Sequence, residues 1–470
     1  MFLRMKTRVL IFLVCCSISA LVNATYFDYN GLSFQTWYDS GGDAVAYCNG
    51  LSTDNPNPVS IVVPNTVIFT YTTTGSNGAT ITHSAPLTVQ TAEISGSENT
   101  QSIYISDGIY GASGISGPSL TSVYLGCEGF SYGFNGCPNL THITVGPYYK
   151  RHNGQTTCFY GTTNLKEITW NAISAEQGRF DGGSTITAGV LQNLETLTFG
   201  DQVEYIPPEI ANNAVKLNHV TIPSSVTAIG DGAFYNSGLS EIYIPNSVVS
   251  LGNNVFSGCG NLTSAVMENS VVSLGTSVFK GCSSLNDVKL SESLTSINKE
   301  TFYQCSSLKT IVMPKMVNNI GHSAFSKCDG LELVYLPDSL KHVDSYAFYN
   351  CTHLAHVYSP IKEPQNVSFN PSNPFVNSSC VVHVPKGTLA LYQALSPWNQ
   401  YVLVDDYEQC VSTLGDVNCD GAVTSSDVTS LYNYLLNGDG TYLATGDVDG
   451  DGSITSADIT AVYNILLGNQ

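Results

Sequence analysis

The chain has 470 residues, too many for one compact core, so several domains or a repeat array is expected. Only 11% of residues are charged and the formal charge is −20, with 17 Lys and Arg in all. So few and so scattered bases exclude a nucleic-acid or anionic-membrane partner, because both need clustered cations.

Residues 1–24 read as an export signal: Arg4, Lys6 and Arg8 precede the apolar run Val9 to Leu21, and Val22-Asn23-Ala24 places small residues for cleavage. The mature chain then begins at Thr25 and is expected to be secreted, extracellular and associated with the cell surface. A membrane anchor is the competing reading, but the run falls short of the ~20 apolar residues a spanning helix needs, and no later segment supplies a transmembrane stretch. Lipid attachment at Cys15 or Cys16 stays open. Residues 25–100 carry short alternating runs such as Val59-Ser60-Ile61-Val62-Val63, which predict strands and turns. This segment is expected to be a β-rich N-terminal cap, with a separate ligand-binding β-domain as the alternative.

From 101 to 358 one phrase recurs. Phe256-x-x-Cys259-x-x-Leu262 returns at Phe279, Phe302, Phe325 and Phe348, each copy 23 residues after the last. That period lies in the leucine-rich-repeat range, where a unit too small to bury its own apolar face stacks on its neighbours. The Leu column runs from Leu120 through Leu140, Leu165 and Leu194 to Leu354; its first intervals are 20, 25 and 29, which places insertions in early turns. Three and five residues after the Leu, apolar pairs such as Val220 with Ile222 and Ile242 with Ile244 give strand alternation. The runs between breakers are too short for more than about one helical turn. Cys137, Cys259, Cys282, Cys305, Cys328 and Cys351 share one ladder position, so their side chains should lie ~4.8 Å apart and parallel. A disulfide needs Cβ atoms ~3.8 Å apart and facing, so these six are predicted to be buried free thiols. Cys48, Cys127, Cys158, Cys380, Cys410 and Cys419 are left able to pair.

The sequence Leu217-Asn-His-Val-Thr-Ile-Pro-Ser-Ser-Val-Thr-Ala-Ile-Gly-Asp-Gly-Ala-Phe234 resembles the BspA-like leucine-rich repeat of bacterial surface proteins almost position for position. The resemblance spans about Ile103 to Tyr358 and is most specific in the last six units. Val382-His383-Val384-Pro385-Lys386-Gly387, with Tyr392 and Trp398, looks like that family's C-terminal capping unit, so residues 359–410 are expected to be the cap and a linker. The fold class expected is a mainly β leucine-rich-repeat solenoid with a small α-helical module after it.

That module, 411–470, carries the most specific chemistry. Asp416-x-Asn418-x-Asp420-Gly421-Ala422-x-Thr424-x-x-Asp427 recurs 31 residues later as Asp447-x-Asp449-x-Asp451-Gly452-Ser453-x-Thr455-x-x-Asp458. Calcium takes about six to eight oxygens, and a 12-residue loop supplies them from positions 1, 3, 5, 7, 9 and 12, with Gly at 6 for the sharp turn. Both loops meet each demand, Ala422 and Ser453 through backbone carbonyls, so two calcium ions are expected. Position 12 is Asp where an EF-hand has Glu. The second loop has four carboxylates against three and should bind more tightly; with no basic residue in the module, calcium removal should leave it poorly folded. Each loop leads into an apolar stripe at helical spacing: Val428, Leu431 and Leu435, then Ile459, Val462 and Leu466. Residues 415–467 look like a type I dockerin. The resemblance implies that Ser425 and Ser426, then Ser456 and Ala457, contact a cohesin partner; Tyr432, Asn433 and Tyr434 stand where clostridial examples carry bases.

No catalytic constellation is expected. His353 and His356 flank one repeat Leu without an acidic partner at metal or triad spacing, and no Ser lies in a nucleophile elbow. The outward position four after each Leu reads Tyr124, Thr144, Thr169, Thr198, Thr221, Tyr243, Val266, Lys289, Val312, Tyr335 and Tyr358. An ordinary exposed strand prefers such residues. Tyr243, Tyr335 and Tyr358 are also candidates to contact a host or bacterial surface protein or a glycan. The expected function is non-catalytic, adhesin-like binding through the repeats with attachment through the dockerin. The alternative is a carbohydrate-binding or scaffolding accessory of a polysaccharide-degrading assembly; a third reading, an enzyme hidden in the N-terminal segment, is disfavoured by its ~75 residues.

Overall fold

A period of 23 residues with three apolar anchors folds as stacked turns, each hydrogen-bonded to the next. The computed structural model describes residues 26–38, 44–53, 58–74, 80–131, 134, 136–152, 162–173, 191–370, 375, 380–407, 415, 417, 423–437, 446, 448 and 454–468. The expected export signal, Cys158, Cys410 and Cys419 lie outside these residues. The chain divides into two compact units, Met1–Val226 and Thr227–Gln470.

In the first unit a six-stranded, all-parallel sheet runs in the spatial order Thr196–Phe199, Glu167–Trp170, His142–Val145, Ser122–Leu125, Ser102–Ile105 and Ser60–Val63. The second and fourth residue of each strand face inward, as in Ile103 with Ile105 and Ile168 with Trp170, which is the period of two that a half-buried strand imposes. The ladder therefore reaches back to Ser60, into the segment expected to cap it. A second sheet begins with antiparallel strands Tyr26–Tyr29, Leu32–Tyr38 and Ala44–Leu51, then becomes parallel through Thr80–Ser95, Gly111–Ser116, Gly129–Ser131 and Arg151–His152.

Within the second unit one parallel sheet holds Glu241–Ile244, Ser264–Met267 and Asp287–Lys289, and another holds Thr310–Val312, Leu333–Tyr335, His356–Tyr358, Val381–Pro385 and Val402–Tyr407. On the other side are strands of two residues, such as Ser250–Leu251 and Asn319–Ile320. The Phe-x-x-Cys-x-x-Leu phrase forms the turn that joins the two sides. Its Phe rings stack in a continuous spine from Phe234 to Phe375, with centroids 4.9–5.6 Å apart. The residues two before and two after each Phe are left-handed: Gly232, Asn254, Ser277, Glu300, Ser323 and Tyr346 on one side, Asn236, Gly258, Gly281, Gln304, Lys327 and Asn350 on the other. Two reversals four residues apart fold the turn tightly without making a helix.

The six ladder thiols are buried outside any disulfide, as expected, and Cys48, Cys127 and Cys380, left able to pair, are in no disulfide either. Each ladder thiol from Cys259 to Cys351 donates to a Phe carbonyl about one turn back: Cys259 Sγ to Phe234 O at 3.1 Å, Cys305 Sγ to Phe279 O at 3.2 Å, Cys351 Sγ to Phe325 O at 3.1 Å. The capping unit adds buried Tyr392, whose hydroxyl donates to Ile361 O at 2.7 Å, and Trp398, packed edge-on against Phe369 and Tyr392. Beyond it, helices Ser425–Asn437 and Ser456–Leu466 share a small core of Val417, Val428, Leu431, Val448, Ile459 and Val462. That core is duplicated: Val417, Val428 and Leu431 recur 31 positions on as Val448, Ile459 and Val462.

Candidate functional sites

In the C-terminal module the last ligand position of each loop opens a helix. Asp427 Oδ1 accepts from Val417 N and its Oδ2 from Thr424 N, both at 2.7 Å; Asp458 accepts from Val448 N and Thr455 N at the same distances. The Thr455 hydroxyl accepts in turn from Ala457 N, so Thr455 and Asp458 form a capping box around the first turn of the helix Ser456–Leu466. Position 12 is thus Asp for a reason beyond reach: its short arm holds positions 2 and 9 of the loop and caps the helix at once.

Both carboxylates are fully buried in a module that holds no Lys, Arg or His, so no side chain there can neutralise them. A buried charge is stabilised by a counter-charge close by. A hard cation fits this donor set. Of the expected ligands, Thr424, Asp427, Thr455 and Asp458 are among the described residues; the others, Asp416, Asn418, Asp420, Ala422, Asp447, Asp449, Asp451 and Ser453, lie outside them. Bound calcium would supply the positive charge that folds the loops. Ser425, Ser426, Ser456 and Ala457 are all exposed on the first helical turns. Leu435 and Leu466, expected on the apolar stripes, are instead exposed and stand outside the shared core, and Tyr432 is exposed with Tyr463 at the same 31-residue offset.

On the outward face of the main sheet, the candidate tyrosines fare differently. Tyr243 is 55% exposed and its hydroxyl donates to Glu268 Oε1 at 3.2 Å. Tyr335, expected to be exposed, is 6% exposed. Its ring stacks on Tyr358 at 4.6 Å, and Tyr358 stacks on His383 at 4.4 Å. Strand spacing in an in-register parallel ladder matches the spacing of stacked rings, so like residues on neighbouring strands cover one another. In the first unit Tyr104 and Tyr124 stack in the same way at 4.3 Å, and the Tyr124 hydroxyl donates to Asp107 Oδ1 at 2.8 Å. Burial and the Asp107 carboxylate push the Tyr124 phenol upward.

His356 has the acidic connection that spacing along the chain did not reveal. Its Nδ1 lies 3.0 Å from Nε2 of His383, whose Nδ1 lies 2.8 Å from Asp406 Oδ1. Burial, and then the neighbouring His383, push the His356 imidazole below its ordinary range, against a smaller opposing effect of Asp406. His353, by contrast, bonds through Nδ1 to the Asp329 carbonyl. Among the described residues no helix is long and apolar enough to cross a membrane.

The BspA type leucine-rich repeat region matches the chain in six copies over residues 128–188, 188–293 and 251–381. The chain belongs to the BspA-type leucine-rich-repeat family. A dockerin type I domain matches residues 414–467. Both are non-catalytic binding modules; dockerins of type I bind calcium and dock to cohesins. Similar solved structures include a leucine-rich repeat protein from Bacteroides ovatus, 20% identical, covering 81% of this chain and 100% of its own, with a TM-score of 0.46. A leucine-rich cell surface protein from Faecalibacterium prausnitzii is 21% identical over 74% of this chain and 98% of its own, with a TM-score of 0.31. The leucine-rich repeat protein of T. pallidum is 27% identical over 34% of this chain and 79% of its own, with a TM-score of 0.27. No curated protein matches the chain. For this BspA-type protein, a partner-binding role and an extracellular or surface location agree with its family.

Proposed function

We propose that this BspA-type protein is a secreted, cell-surface-associated, adhesin-like binding protein. Its repeats hold a surface protein or glycan, and its dockerin, loaded with two calcium ions, attaches the chain to a cohesin-bearing partner. The observation that carries this reading is the duplicated closure of the C-terminal module: Asp427 and Asp458 make the same pair of amide bonds at a 31-residue offset, beside a repeat array with an exposed Tyr243. Support for the docking contact comes from Ser425, Ser426, Ser456 and Ala457, each exposed directly beside a loop closure.

The dockerin match favours a second reading of the repeats, as the carbohydrate-binding or scaffolding part of a polysaccharide-degrading assembly. Both readings share the attachment and differ in the ligand. A glycan array and a panel of host matrix proteins, probed with the full chain, separate them: matrix binding lost in Tyr243→Ala supports adhesion, and glycan binding alone supports the accessory role.

A further inference from the structure

His356 and His383 stand on neighbouring strands of one parallel sheet, where His356 pairs with Val381 and Tyr358 with His383. Their facing nitrogens, His356 Nδ1 and His383 Nε2, are 3.0 Å apart, and the ring centroids 5.2 Å. Asp406, from the next strand, takes the far nitrogen of His383 at 2.8 Å. Tyr358 stacks flat against the same ring at 4.4 Å and 13°. His383 is thereby fixed in orientation. Its Nδ1 carries the proton that Asp406 accepts, so in the neutral ring the Nε2 lone pair is turned toward His356.

We propose that His356 Nδ1 and His383 Nε2 form a two-imidazole site for a divalent transition-metal ion of the zinc and nickel class. Metal–nitrogen bonds of about 2.0–2.1 Å that meet near a right angle span about 3 Å, the separation the two strands already impose. A carboxylate on the far nitrogen is what orients a ligating histidine and raises its basicity, and Asp406 occupies that place. Imidazole selects zinc, copper and nickel over calcium, which takes oxygen, so the site is chemically distinct from the dockerin loops. The net charge of −20 raises the local concentration of any cation. No group of three or more His, Cys, Asp or Glu among the described residues could hold a metal. The described residues supply two ligands here, and water or a donor on a bound partner can take the remaining positions. The ion would sit on the outward sheet face, beside the Tyr358 column.

The test is calorimetric titration of zinc into the tag-free, calcium-loaded full chain. One zinc should bind, with affinity weakened at least tenfold in His356→Ala and in His383→Ala. Asp406→Asn, which keeps both imidazoles, should weaken it about tenfold. His353→Ala should change nothing. With copper in place of zinc, electron paramagnetic resonance should show two coupled nitrogens in the native chain and in Asp406→Asn, and fewer in His383→Ala. Circular dichroism identifies any variant that fails to fold, and the Asp406→Asn comparison then carries the decision. No zinc uptake by the calcium-loaded chain, or uptake indifferent to both His383→Ala and Asp406→Asn, overturns the proposal and leaves the two rings sharing a proton.

Discussion

At the scale of single residues, the thiol ladder shows what a repeat does with a small polar group. Each Cys fills the space of a small hydrophobe and gives a second hydrogen bond to a Phe carbonyl that already accepts from a backbone amide, as Phe279 O does from Cys282 N and Cys305 Sγ. Cys305→Ala removes that second bond and some packing and should lower stability by about 0.5–1.5 kcal/mol, read as a lower denaturant midpoint. Burial pushes Cys259 up to about 11 and Cys351 up to about 12, and raises Cys282, Cys305 and Cys328 well above the ordinary thiol range. A folded-state pKa above the unfolded value gives stability that is complete below the unfolded thiol pKa and is lost as pH rises. The loss begins near pH ~8.5 and runs toward 12, at about 1.4 kcal/mol per pH unit for each thiol. Denaturant midpoints at pH 7, 9 and 10 should fall in that order, and less steeply in Cys305→Ala. Gly321 is a second such position. A Cβ there would lie 2.7 Å from the Lys299 amide nitrogen. Gly321→Ala should therefore cost about 1–3 kcal/mol, read from the same midpoints.

At the scale of elements, Asp427 and Asp458 each tie a loop to the start of a helix. Asp458→Ala removes two amide acceptors and a capping box and should weaken calcium binding by at least tenfold in calorimetry. Chelator should lower helical circular dichroism near 222 nm, and calcium should restore it. Strand positions and the Phe, Cys and Leu anchors were legible in the sequence because a fixed period makes burial repeat. The left-handed columns beside each Phe were not. Ser277, Glu300, Lys327 and Tyr346 hold positions where glycine would have signalled the turn, and the stacked neighbours impose the conformation. Tyr335 read as exposed because alternation gives its face but not the ring that covers it. His383 and Asp406 escaped notice because His356 meets His383 27 residues on, in the cap, outside the 23-residue period.

At the scale of the whole molecule, the two modules call for different chemistry: apolar stacking in the repeats and calcium binding in the dockerin. Calcium removal should thus abolish attachment while leaving the repeats folded, with their denaturant midpoint unchanged. The dockerin was legible as a module from its repeated loops, whereas the repeat ligand was not, since Phe, Cys and Leu specify stacking alone. The most direct test of the central claim is capture of the full chain by an immobilised cohesin panel in calcium and in chelator, alongside a chain carrying Asp427→Ala and Asp458→Ala. Capture in calcium that chelator and the double variant both abolish is the predicted result; a chain that is held equally well in chelator, or that no cohesin holds in calcium, contradicts it.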